Sequence, residues 1–333
     1  MGLTTLHSER VTVSVEDDLS LCVTGPGGEP WWRSSAAHPP TVVVVASDLT
    51  WPPSQAAAAA GAAGSDLGRR VPLQQARGRA VEGFEHRGQA GARVLLTELP
   101  GVDAALELRL ALGTQAPESG PTGGAELRLE VEAHDGRDAV AAVENLFTFE
   151  RPVGEGGCLI LPHGSGYLVP ASGADALPGT SGFGGMVGAR WAMPVFGLTS
   201  HRAAVAGLVD TWWDAQVDVV HAPGDRSVLA FHWRDELGRL AYPRTLLLRF
   251  APALDHRDLA RWCRQHLAAA GHVRTLAEKA EETPVIRQYV ERVLFRWPGW
   301  KPAERARAEA DLVRVAEAAM PLVYFFPKVA AGY

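Results

Sequence analysis

Cysteine is scarce: the 333 residues contain three, Cys22, Cys158 and Cys263, far apart and without a C-x-x-C pair. That spacing excludes a disulfide framework and a thiolate zinc site. Basic residues are not in excess either, since 32 Lys and Arg against 38 Asp and Glu leave a formal charge of -6. The chain has no electrostatic footprint for phosphate backbones or anionic lipid, so neither nucleic acid nor a membrane is expected as a partner. No run approaches the roughly 18 apolar residues of a membrane span. The opening MGLTTLHSERVTVSVE lacks a basic segment followed by an apolar one, so the chain is expected to be soluble and cytoplasmic. Helical periodicity is almost missing before Phe250, and no repeat of 20 to 50 residues is present.

What is present is turn-rich. With 47% hydrophobic residues the chain can bury a core for one large domain or two ordinary ones, and 35 Gly, 23 Pro and 10 Trp point to many short strands with aromatic surfaces. From Val11 to Phe250 short alternating or β-branched runs are punctuated by turn residues. Val11 to Val15 and Leu19 to Val23 form an expected hairpin, and Thr41 to Val45 a compact strand. In Ala105 to Leu112, Leu106, Leu108 and Leu110 share one face while Glu107 and Arg109 share the other, the period of a half-buried sheet. The alanine-rich Gln55 to Gly64 reads as a surface insertion, and Pro117 to Gly124 as a loop. After Phe250 the period changes. Asp255 caps a helix from about His256 to Ala270 that Gly271 stops, and a second short helix covers Thr275 to Ala280. Thr283-Pro284 opens a helix through Leu294, and Pro302 opens another over Ala303 to Ala319. Pro321 to Pro327 encloses an apolar strand, Leu322 to Phe326, of the type buried on both faces in a parallel sheet. Left without neighbours, that strand would favour self-association.

Several segments invite chemistry. In LPHGSGYLVP, His163 precedes the Gly-flanked Ser165, but this is not G-x-S-x-G on a strand-to-helix elbow, and a turn joining two strands is the better reading. GTSGFGGMVG, Gly179 to Gly188, lacks the strand, helix and spacing of a phosphate-cradling loop and reads as a flexible loop beside the sheet. Trp212 and Trp213, followed by Asp214, sit where an apolar strand should end. Adjacent strand residues face opposite sides, so at most one indole is expected in the core, the other being exposed or covered by another segment. An exposed indole beside a carboxylate can stack on the C–H face of a pyranose while the carboxylate accepts from hydroxyls, although packing at an interface explains the same residues. Trp31-Trp32 poses the same choice. His232-Trp233 near Asp235 and Glu236 could serve as an acid/base pair. Arg244 follows Tyr242-Pro243, and Trp297-Pro298-Gly299-Trp300 suggests a rigid aromatic corner. His134, His163, His201 and His221 are scattered, so neither metal nor cofactor is expected.

The order LPHGSGYLVP, RWAMPVFGL, VDTWWDAQV, FHWRDELGRLAYPRTLLLRF and RTLAEKAEETPVIRQYV resembles the N-terminal region of glycoside hydrolases related to endo-α-N-acetylgalactosaminidase. The resemblance spans about Val11 to Tyr333 and is densest from Asn145 to Trp300. It implies a mainly β fold: a large two-sheet, galactose-mutarotase-like β-supersandwich over 1–252. A helical linker over 253–301 then leads to the first helix and strand of an incomplete (β/α) barrel over 302–333. Lys328, just past that strand, would approach a substrate site, because barrel sites lie at the C-terminal ends of strands. The Asp nucleophile and Glu acid/base of such enzymes belong to later barrel strands, so the resemblance assigns no catalytic residue to this sequence. It implies a scaffold or carbohydrate-contacting module, with Trp212, Trp213, Asp214, His163, Trp233, Arg244 and Lys328 as contact candidates. The alternatives are a stand-alone aldose mutarotase using His163, His232 and Glu236, and a structural β domain without sugar affinity.

Overall fold

The computed structural model describes residues 2–34, 38–46, 68–114, 124–150, 157–162, 167–170, 182–186, 193–200, 203–222, 226–234, 239–289, 293–296, 314 and 322–325. The insertion at Gln55 to Gly64, the aromatic corner Trp297 to Trp300 and all of Ala303 to Ala319 except Arg314 lie outside those residues, as do His163, Asp235, Glu236 and Lys328. The chain divides into two compact units, Met1–Cys263 and Arg264–Tyr333.

The first unit is mainly antiparallel β. Strands β1 (Thr4–His7), β2 (Thr12–Val15), β3 (Leu21–Thr24) and β4 (Pro30–Arg33) form a four-stranded sheet in that order, which the two-sheet expectation did not include. β5 (Thr41–Ala46) and β6 (Arg69–Pro72) then enter a second sheet, and β7 (Gly78–His86), β8 (Gln89–Thr97), β9 (Ala104–Thr114) and β10 (Ala125–Asp135) build a meander in a third. From there the chain alternates between the two larger sheets. β11 (Asp138–Glu150), β14 (Gly182–Met186), β17 (Ala215–Ala222) and β18 (Arg226–Arg234) join the six-stranded sheet, of order β14-β17-β18-β11-β5-β6. β12 (Cys158–Leu161), β13 (Tyr167–Pro170), β15 (Val195–Thr199), β16 (Ala204–Val209) and β19 (Arg244–Ala251) complete the nine-stranded sheet, β13-β12-β15-β16-β19-β10-β9-β8-β7.

Alternation decides which face is core. Leu106, Leu108, Leu110 and Leu112 of β9 pair in register with Ala133, Val131, Leu129 and Leu127 of β10, and together they supply the inner face. The inner faces of the two large sheets meet at Phe196 and Phe231, whose rings are 6.3 Å apart, and the four-stranded sheet joins the same core through Trp32, stacked on Phe250 at 6.4 Å. Trp32 is therefore the inward member of its pair; Trp31 is half-buried, with its indole N–H on Glu29. Glycine matters where rings cross strands. A Cβ on Gly207 would stand 2.1 Å from the Phe196 ring across the ladder. Gly207→Ala is expected to cost about 1–3 kcal/mol through overpacking, read as a fall in denaturation midpoint; an unchanged midpoint would mean the ring can move aside.

Helix α1 (His256–Ala269) starts where Asp255 accepts main-chain N–H groups from Arg257 and Asp258. It lays Leu259, Trp262 and Cys263 on the outer face of the nine-stranded sheet, where Trp262 donates to Glu126 at 3.2 Å and Gly197 leaves room for Leu259. Burial pushes the Cys263 thiol up to about 11, so it acts as a packing group rather than a nucleophile. Gly271, with φ +75°, follows the helix.

In the second unit α2 (Leu276–Glu282) opens with a capping box between Thr275 and Glu278. The expected helix through Leu294 is not formed. Pro284–Tyr289 is a 3₁₀ turn, and β20 (Val293–Arg296) is a strand paired in parallel with β21 (Leu322–Phe325). Val293, Leu294 and Phe295 carry side chains that suit either state, and the ladder with β21 decides between them. Among the described residues the apolar strand read near the C-terminus thus pairs with β20, and the two are parallel. The Gly179 to Gly188 loop reading is corrected too: Gly182–Met186 is an edge strand on β17, because main-chain pairing needs no side chains.

Candidate functional site

At one end of the sandwich β16 hands the chain to β17 across the gap between the two large sheets. The crossing is a turn closed by the Ala215 N–H on the Trp212 carbonyl at 3.2 Å, with Trp213 and Asp214 at its tip. Because the chain turns there, the two indoles do not take opposite faces of a strand as expected. Their centroids are 5.3 Å apart at 30°, Trp212 half-buried against the core and Trp213 57% exposed.

Asp214 points inward and meets Arg244, the first residue of β19. The guanidinium Nε lies 3.1 and 2.9 Å from the two carboxylate oxygens, and Nη2 also donates to Asp214. Nη1 donates to the Tyr242 carbonyl, and the guanidinium carbon sits 3.3 Å from the centre of the Tyr242 ring. Arg244 is fully buried, whereas Tyr242 is 42% exposed. The crossing is tied down further by the Thr245 N–H on Thr211 Oγ1 at 2.9 Å and by the indole of Trp233 on the Thr211 carbonyl at 3.3 Å. Trp233 is itself buried, edge-on to Phe231 with centroids 4.7 Å apart.

Five of the seven contact candidates therefore fall in one place. Asp214 and Arg244 spend their polar atoms on each other, Trp233 is sealed in the core, and Trp213 is the member of the group most open to solvent. Tyr242, which sequence reasoning treated only as a neighbour of Arg244, is the second exposed ring. His163 lies outside the described residues, but the strands around it, β12 and β13, pair as a hairpin from Cys158↔Pro170 to Leu161↔Tyr167. The two strands expected on either side of it are thus present.

Of the three mutarotase candidates, His232 is the one among the described residues. It is 4% exposed and its Nδ1 accepts the Asn145 N–H at 3.2 Å, inside a register break of β11 where Asn145 has φ +56°. Its cross-strand neighbour is Glu144, which pairs with Arg70 at 3.0 Å. Sequence reasoning missed Glu144, Asn145 and Arg70, because only the strand order β18-β11-β5-β6 brings them near His232.

A second polar group crosses the outer face of β8, β9 and β10. Glu107 is fully buried and bonded to Arg93 at 2.6 Å, Arg109 at 2.5 Å and His134 at 3.2 Å, while Arg109 also reaches Glu130 and Glu132. Burial pushes the Glu107 carboxyl up. The hydrogen bonds from Arg93, His134 and Arg109 outweigh it and hold the group down at about 2. Among the described residues no three His, Cys, Asp or Glu side chains converge on a metal position, and no helix is long and apolar enough to cross a membrane.

The mainly antiparallel β architecture is shared with solved structures. The α-N-acetylgalactosaminidase NagBb from Bifidobacterium bifidum, solved as its GalNAc complex, matches with a TM-score of 0.66 at 18% identity, over 97% of this chain and 51% of that chain. Its Gal-NHAc-DNJ complex matches with a TM-score of 0.65 at the same identity and coverage. An α-galactosidase from Lactobacillus brevis aligns over 96% of this chain and 48% of its own, with a TM-score of 0.38 and 9% identity. The chain spans about half the length of these structures. No protein-family profile matches the sequence, and no curated protein matches it.

Proposed function

We propose that this chain is a glycoside hydrolase-like β-sandwich serving as scaffold or carbohydrate-contacting module, with the catalytic carboxylates outside this chain. The observation that supports this reading is the match to NagBb over 97% of the chain. The parallel pairing of β20 with β21 is compatible with it, since parallel strands joined by a long crossover are how a β/α barrel is built.

The purified chain should bind a simple pyranoside weakly and hydrolyse none. Calorimetry with methyl α-D-galactopyranoside and methyl 2-acetamido-2-deoxy-α-D-galactopyranoside tests the first part, and release of nitrophenol from an aryl α-N-acetylgalactosaminide tests the second. Reproducible hydrolysis by the pure chain would overturn the assignment of catalysis to another region. Absence of binding to any pyranoside would remove the carbohydrate-contacting role and leave a scaffold.

A further inference from the structure

The outer face of the β7–β10 meander carries a recess. Strand registers set Phe84, Gly91, Ala111 and Arg128 side by side across it, so two small residues lie between a ring on β7 and a guanidinium on β10. The Phe84 ring leans over the gap: a Cβ on Gly91 would stand 2.6 Å from it. The space that remains is about 210 Å³, part of it open to solvent, and is lined by Phe84, His86, Arg109, Ala111, Arg128 and Glu130.

Two polar groups in that lining are loosely paired. Arg109 is not one of them, because carboxylates hold all three of its nitrogens, Nε by Glu107, Nη1 by Glu130 and Nη2 by Glu132. Among the described residues the Arg128 guanidinium makes one hydrogen bond, from Nη2 to Thr245 Oγ1 at 3.3 Å. Its Nη1 stands 3.9 Å from Asp210, and its Nε is buried without a hydrogen-bond partner among those residues. Glu130 is bound through Oε1, to Arg109 at 2.6 Å, while Oε2 lies 3.5 Å from Arg128 Nη2, beyond the length of a charge-assisted bond. A donor and an acceptor thus stand side by side, each fixed from behind by another partner. Buried donors are rarely left without an acceptor, so such a group calls for an explanation.

We infer that this recess is a subsite for two adjacent hydroxyls of a pyranose ring, one accepting from Arg128 and the other donating to Glu130, with Phe84 against the apolar C–H edge of the sugar. The inference rests on the carbohydrate-contacting reading and gives it a location. A hydroxyl both donates and accepts, so a vicinal pair can bridge a guanidinium N–H and a carboxylate oxygen that are held apart. Charge selects against an anion. Arg93, Arg109 and Arg128 are matched by Glu107, Glu130 and Glu132, and Asp210 adds a further negative charge, so a phosphate or sulfate meets no net attraction. Size selects against a large ligand, because about 210 Å³ lies below the usual range for a drug-sized molecule and suits a single ring. The polar groups are also set in advance. Arg109 holds Glu130 and Thr245 holds Arg128, and groups fixed this way bind without the ordering cost of loose ones.

Titration of the full chain with methyl α-D-galactopyranoside and methyl 2-acetamido-2-deoxy-α-D-galactopyranoside tests this, followed by saturation-transfer NMR and by the alanine methyl signals. The Ala111 methyl signal of the parent should shift on addition of the sugar that binds. R128M removes the donors and should weaken association about tenfold, the worth of one hydrogen bond to a charged group. A111L lengthens the side chain between Phe84 and Arg128 and should weaken it at least as much. L168A, on β13 at the far edge of the same sheet, should bind like the parent. Urea midpoints of the variants separate lost contact from lost fold, and the Ala111 shift in the parent reports on the recess even where a variant unfolds. A parent that binds a sugar with the Ala111 signal unmoved and R128M unaffected would overturn this subsite and leave the carbohydrate-contacting reading intact. A parent that binds neither sugar would overturn both.

Discussion

Replacing Asp214 by Ala is expected to destabilise the first unit by about 3–5 kcal/mol, the usual cost of leaving one half of a buried ion pair without the other. Arg244 is fully buried, and Asp214 supplies both oxygens that face its Nε. The one remaining bond, from Nη1 to the Tyr242 carbonyl, cannot hold a guanidinium away from water. Removing both charges is a different experiment. The double variant D214L/R244M should recover most of the loss, because a well-packed apolar pair often matches a buried ion pair in stability. Urea denaturation of the parent, D214L, R244M and the double variant measures the coupling directly. A loss below about 1 kcal/mol for Asp214→Ala would mean that water reaches the guanidinium and that the pair does not anchor the Trp213 turn.

The second large effect is acid sensitivity through Glu107. Its carboxyl is held down from 4.5 to about 2 in the folded protein. A carboxylate depressed by folding stabilises the native state fully above its unfolded value, and that contribution is lost as pH falls through the folded one. The window is therefore about pH 4.5 down to 2, and the shift corresponds to about 3 kcal/mol. Other carboxylates contribute to the same acid limb: hydrogen bonds lower Asp18, Asp103 and Asp255 as well. Comparison with E107Q isolates the one group. At pH 7 the variant should be less stable by a similar amount, since Arg93 and Arg109 keep their charges and lose their shared partner. Toward pH 2 the two proteins should converge. Parallel stability curves across that window would show that Glu107 is not the group titrating.

These two residues also mark the limit of what is legible in the chain. Glu107 and Arg109 alternate with leucines, so their common face can be read directly, and the usual inference is a solvated face. The structure instead buries Glu107 completely, because Arg93 from β8 and His134 from β10 close over it. A hint was available in Glu126, Arg128, Glu130 and Glu132, a mixed row on the same parity of β10, but its use requires knowing that Arg109 faces Glu130. Trp212 and Trp213 show the reverse. Their residue types stand plainly in the sequence and their geometry does not, since the turn at Trp212 to Ala215 arises from the chain changing sheets.

The sequence by itself determined the local quantities. Period-2 alternation produced the strands up to Phe250, Asp255 and Thr275 set two helix starts, and the apolar run near the C-terminus became a strand in a parallel pair. Each depends on a few adjacent residues and on propensities that act over one turn or one strand. Only the tertiary structure decided the rest: that Gly182–Met186 is an edge strand, that Val293–Arg296 leaves the helical state, and that Asp214 finds Arg244 thirty residues away. In each case the deciding free energy comes from a partner remote in sequence. A main-chain ladder or a buried counter-charge overrides a local preference of a few tenths of a kcal/mol, and which partner arrives depends on strand order.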